Sequence, residues 1–165
     1  MDVKHPVGGT GGSKAFDLPP GHSEQSWEST PAIPGTILGI GGHVHDYAVR
    51  LEFRDVTADE VLWAVAPKTD AEGHVIELPF GRFYRFYRLG KQIQPDHRYR
   101  VTVVYENPTG HMITDGGMGA VAGAIIPDHG ASWPPVDVDD PTYQADLLNT
   151  LANMGNGMVM HGHHH

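Results

Sequence analysis

The run Gly41-Gly42-His43-Val44-His45-Asp46 sets two imidazoles two residues apart at the head of a stretch, 41–53, with the character of a β-strand. Alternate residues of a strand face the same way. On that pattern His43, His45, Tyr47, Val49, Leu51 and Phe53 share a face whose far half is apolar, which predicts that both histidines lean toward the interior. Same-face neighbours lie roughly 6.5–7 Å apart at the backbone. Two neutral imidazoles at that spacing can reach one metal ion with bonds of roughly 2 Å. Two polar residues near a sheet edge would leave the same pattern, so the pair alone does not separate ligation from solvation.

Further donors stand in the run Gly110-His111-Met112-Ile113-Thr114-Asp115-Gly116-Gly117-Met118-Gly119-Ala120. Met118 lies in Gly-Gly-Met-Gly, where missing side chains let a thioether and its backbone approach another group closely. Filling an irregular gap in a core is the ordinary use of a methionine and stays open beside this. Two imidazoles and a thioether suit Cu(I) and still accommodate Cu(II), whereas Zn(II) gains little from methionine, so copper is the expected metal. Three protein ligands leave one position for water, oxygen or another small ligand, or for His111. Asp46 points to the opposite face from the histidines and suits a supporting role, while Tyr47 could border the site.

The elements that must hold these residues read as short strands between turns, since 21 glycines and 13 prolines accompany little helical apolar period. Strands are expected at 26–29, 36–40, 41–53, 61–66, 74–78, 83–87, 99–105 and 118–126. Their spacing predicts a mainly β fold, an antiparallel jelly roll or β-sandwich. One helix is expected from Asp140 to Leu151, with Asp140 as N-cap, Pro141 at the first position and an apolar stripe of Tyr143, Leu147, Leu148 and Leu151 packed on the outside of the sandwich. The organisation expected is a flexible N-terminal segment over 1–21, one domain over 22–155, and a Met/His-rich tail over 156–165, either native or a purification remnant.

Composition narrows the function. A net charge of −9, from 11 basic and 20 acidic residues, argues against nucleic acid and against membrane surfaces as partners. No apolar run approaches the length of a membrane span, and the start lacks the apolar centre of a signal peptide. Without cysteine, thiolate metal sites and disulfides are excluded. Arg82, Arg85 and Arg88 interleave with Phe83, Tyr84, Phe86 and Tyr87, read as solvent-facing arginines alternating with buried aromatics rather than a stacking platform. His5, His22, His74, His97 and His129 have no paired spacing and read as surface residues. There is no nucleophile elbow, and the glycines at 8–12 lack the Lys-Ser/Thr of a phosphate loop.

His43-Val44-His45 with a later Gly-Gly-Met-Gly resembles the copper type II, ascorbate-dependent monooxygenases, the family of peptidylglycine alpha-hydroxylating and dopamine beta-monooxygenases. The phrase Gly-Gly-His-Val-His-Asp looks closer still to the stress-up-regulated nodulin-like branch and its bacterial relatives. The resemblance covers roughly residues 22–127. It implies a jelly-roll domain in which His43, His45 and Met118 hold one copper, an electron donor or copper-delivery partner, and a periplasmic or secreted location. The second, electron-transfer copper domain of the full hydroxylases has no counterpart here, so the metal site carries over better than the reaction. The expected function is therefore copper holding or delivery, with an oxygen-activating monooxygenase or oxidase using an external reductant as the alternative. A cupin-like enzyme is weakly supported, because Val49 and Arg50 stand where its glutamate is needed.

Overall fold

The alternation over 99–107 builds the central strand. Tyr99, Val101, Val103, Tyr105 and Asn107 are buried, and the residues between them are more exposed. In the computed structural model the described residues are 1, 14–141, 143–145, 147, 148 and 151. They form twelve strands: β1 (Phe16–Leu18), β2 (Gly21–Ser29), β3 (Gly35–Val44), β4 (Ala48–Asp55), β5 (Glu60–Val65), β6 (Lys68–Thr69), β7 (Val75–Glu77), β8 (Gly81–Arg82), β9 (Lys91–Ile93), β10 (Tyr99–Asn107), β11 (Ile113–Gly117) and β12 (Gly119–Pro127). One sheet has the order β2-β10-β4-β5; the other has β12 on one side of β3, with β8 and β9 both on the opposite side. Two small ribbons, β1-β11 and β6-β7, complete the set, and every pairing is antiparallel.

The architecture is mainly β and sandwich-like. Ile37, Ile40 and Val44 of β3 with Val121 of β12 join Leu51 and Phe53 of β4 and Val101, Val103 and Tyr105 of β10 in one core. Leu51, Val101 and Val103 are fully buried, each contributing roughly 1.5–3 kcal/mol of apolar transfer. Gly42 is required by this packing: a Cβ there would sit 2.4 Å from Leu51 Cδ2 and 2.8 Å from the Ala120 carbonyl oxygen.

The stretch 41–53 is not one strand. β3 ends at Val44, the chain turns at Asp46 and Tyr47, and β4 begins at Ala48 in the other sheet. Tyr47 has a φ of 67°, a left-handed conformation that costs a non-glycine residue free energy. It is held there by hydrogen bonds from its own N–H to the Gly73 carbonyl and from the Glu106 N–H to its carbonyl. A register irregularity then passes over Val49, since Val104 pairs with Arg50 and Tyr105 with Ala48. The two-residue period is thus broken twice, and His43 and His45 do not share the inward face of Leu51 and Phe53. Val44, between them, is the buried residue, while His43 is exposed and His45 half-buried.

Other expectations are corrected as well. Residues 83–87 form no strand, only an isolated bridge between Arg85 and Arg88. Within the segment expected to be flexible, Phe16–Leu18 pairs with β11, and Leu18 is fully buried in the common core. The helix begins as expected, with Tyr143 N–H donating to the Asp140 carboxylate. Its stripe does not pack on the sandwich, however, for Leu148 and Leu151 are exposed and Tyr143 and Leu147 are barely covered. His5 and the tail over 156–165 lie outside the described residues.

His97 proves to be more than a surface residue. Its Nδ1 lies 2.6 Å from Asp55 Oδ2, and Asp55 is buried at the end of β4. Burial would raise the Asp55 carboxyl, but the hydrogen bonds from His97 and the Ala58 N–H outweigh it and hold the group below its ordinary value of 3.8. The same hydrogen bond lifts His97 above its ordinary 6.5. The His97 contribution to stability is complete below about pH 6.5 and fades as pH rises through the raised folded value; the Asp55 contribution is complete above about pH 3.8 and fades as pH falls through the depressed one. His97→Gln should therefore lower Tm most between those limits, and the difference from the parent should shrink as pH rises above about 6.5, as thermal melts across a pH series would show.

Candidate metal centre

His43 is the penultimate residue of β3 and His45 follows its last residue, the two flanking the buried Val44. Their ring centroids are 5.4 Å apart with the planes at 86°, close enough for one ion to be bridged by a nitrogen of each ring. His45 Nδ1 lies 3.2 Å from the carbonyl oxygen of Asp115. A carbonyl only accepts, so this contact puts the proton on Nδ1 and leaves the Nε2 lone pair for a metal. Asp115 has a φ of 50°, and its N–H donates to the Asp17 carboxylate at 3.1 Å. The short ribbon of β1 and β11 thus positions the carbonyl that orients His45.

Met118 lies just past the end of the ladder that carries the pair. Ala120 is paired with His43 and Gly119 with Val44, and continued pairing beyond these rungs would set Met118 across from His45. Here the ladder is closed by a side chain. Tyr105, fully buried on β10, accepts a hydrogen bond at its phenol oxygen from the His45 N–H at 3.0 Å and from the Met118 N–H at 2.9 Å, and donates to the Met118 carbonyl at 2.5 Å. Burial pushes the phenol above its ordinary value, so it stays protonated and keeps that donor. Phe16 covers the Tyr105 ring edge-on at 5.9 Å, an approach that depends on Gly117, where a Cβ would fall 2.3 Å from the Phe16 ring.

His111 is not brought to the pair by any contact. Its ring sits over its own loop, with Nδ1 3.1 Å from the Thr109 carbonyl oxygen, and it is exposed. Asp46 accepts a hydrogen bond from the Val75 N–H at 2.9 Å. Beside the imidazoles lies a cleft of about 530 Å³, bordered by Tyr47, Val75, Leu78, Ile113, Thr114 and Asp115. Among the described residues no three His, Asp or Glu side chains gather to hold a metal. His43, His45 and Met118 fit copper by donor type: two borderline nitrogens and one soft sulfur. No family model matches the chain, and neither a curated protein nor a solved structure matches it.

Tyr105 and Asp115 join this arrangement without standing out as site residues by type and spacing. A tyrosine that closes an alternating buried run needs a partner for its hydroxyl, and that was the available signal. Asp115 gave none, because its contribution is a main-chain carbonyl. Tyr105→Phe leaves two part-buried N–H groups and a carbonyl without their partner, which should cost about 1–3 kcal/mol and speed amide exchange at His45 and Met118. Tyr99→Phe, which removes a buried hydroxyl that accepts from the Gln94 N–H and faces the Asp55 carboxylate, is the control for a phenol away from the histidines; exchange at His45 and Met118 left unchanged by Tyr105→Phe would contradict the role given to Tyr105.

Proposed function

We propose that this protein holds one copper ion through His43, His45 and Met118, for storage or delivery to a partner, as a single-domain relative of the copper type II monooxygenases. The single observation that supports it most is the pair of imidazole rings 5.4 Å apart with one ring nitrogen of His45 already engaged by a carbonyl. Pre-set orientation lowers the cost of gathering ligands, and groups that orient metal-bound histidines commonly matter 10–100-fold in affinity (about that range). The donor set favours Cu(I), and bound copper would supply one-electron chemistry. A periplasmic or secreted setting and an external electron donor or copper-receiving partner belong to the same proposal.

Protein lacking residues 158–165 should bind one copper per chain, and His43→Ala or His45→Ala should abolish tight binding in competition with a chromogenic chelator. Unchanged stoichiometry and affinity in both variants sinks the assignment. Met118→Ile keeps bulk but removes sulfur, so Cu(I) affinity should fall by about tenfold, roughly 1.4 kcal/mol, with a lower reduction potential. No change in either quantity leaves Met118 as packing.

The oxygen-activating reading draws on the exposure of His43 and the adjoining cleft, which give a small molecule access to the imidazoles. With ascorbate, and with free copper chelated, the copper-loaded protein should then consume oxygen faster than His43→Ala. Tight copper retention without oxygen consumption favours storage or delivery.

A further inference from the structure

The segment 80–91 reverses the character of the rest of the chain. Arg82, Arg85, Arg88 and Lys91 lie within it, and all 20 Asp and Glu residues lie elsewhere. The aromatics expected to be buried are outside: Phe86 is fully exposed, Tyr87 is 83% exposed, and Phe80, Tyr84 and Leu89 are also exposed. Only Phe83 packs against the core.

The backbone explains this display. β8 and β9 both pair with β3, through Arg82 with Gly39 and Lys91 with Ile37. Residues 83–90 are therefore an excursion between two pieces of one edge strand. Within it Arg85 and Arg88 exchange main-chain hydrogen bonds of 2.7 and 3.1 Å, which puts Phe86 and Tyr87 at the tip of a tight turn. Arg82 lies over the Tyr84 ring at 4.7 Å, and Lys91 is paired with Glu60. Among the described residues no ion pair engages Arg85 or Arg88, the two cations flanking the tip.

We propose that residues 80–91 form a docking loop for an anionic phospholipid surface, with Phe86 and Tyr87 entering the interfacial layer and Arg85 and Arg88 meeting lipid phosphates. Aromatic side chains favour the headgroup level, where an apolar body and a polar tip are both accommodated. Each Arg or Lys near an anionic leaflet adds to the attraction. A protruding tip also resolves the conflict with net charge. Contact is confined to the loop, and acidic groups held beyond about 8–10 Å are screened at ordinary ionic strength. A nucleic-acid strand fits less well, since it must track a basic groove and would leave this short patch for an acidic surface. Among the described residues no helix is long and apolar enough to cross a membrane; the loop calls for surface attachment only.

The test is co-sedimentation of the full chain with phosphatidylcholine vesicles, with and without phosphatidylglycerol, in chelator at slightly alkaline pH so that neither metal nor protonated histidine bridges protein and lipid. Partitioning should be at least about tenfold stronger on the anionic vesicles. It should be lost in both Phe86→Ser/Tyr87→Ser and Arg85→Glu/Arg88→Glu, with Tm unchanged because the tip is exposed. Equal partitioning on both vesicle types, or full retention by either double variant, overturns the proposal. So does preferential binding to a single-stranded oligonucleotide, or self-association removed by the same variants without any vesicle binding. None of these readouts involves copper.

Discussion

The Tyr105 phenol is the constraint on which the candidate centre depends. It stands where the pairing of β3 with β12 runs out and takes the place of the next rung, bonding to main-chain groups of His45 and Met118. Its ring belongs to the core between the sheets, so the two proposed ligands are referenced to the interior rather than to a surface loop. A buried hydroxyl with three partners has little freedom to shift without leaving one of them unsatisfied. Phe16 above the ring and Gly117 beneath Phe16 extend the same support to the N-terminal strand.

The second organising feature is the change of sheet between Val44 and Ala48. A turn this tight needs a residue with positive φ, and Tyr47 supplies it under hydrogen-bond restraint from both sides. Asp46 adds a bond to Val75. The imidazoles consequently sit at a corner, outside the core but fixed to it. Open approach on one side and rigid backing on the other is the arrangement a small-molecule or metal site requires.

Much of the fold was legible because its strands obey the period of two. The buried odd-numbered residues of β10, the run of β5 and the Asp140 cap could all be read from residue types. The alternation from His43 to Phe53 was misleading for a physical reason: two local devices, a left-handed Tyr47 and a bulge at Val49, reset the phase without altering the apolar pattern. Similarly, the aromatics at 83–87 have strand-like composition, yet exposure depends on a detour from an edge strand that composition does not encode. His43, His45 and Met118 could be singled out by type and neighbours, whereas the link of His45 to Met118 through one phenol, and the part of the Asp115 carbonyl, arise from tertiary pairing alone. The His97–Asp55 pair, 42 residues apart in sequence, was invisible for the same reason.

The detour at 83–90 has a consequence for how this chain can change over time. Both of its ends are clamped to the same strand, so the sheet already holds the closure points together. Lengthening such a loop adds only about 0.6 kcal/mol for each doubling, and exchanging its residues disturbs no register on β3. Natural variation or deliberate grafting can thus rewrite what the molecule displays at this edge while the histidine corner, carried by the other end of β3, keeps its geometry. The scaffold separates the displayed loop from the histidine corner along a single strand.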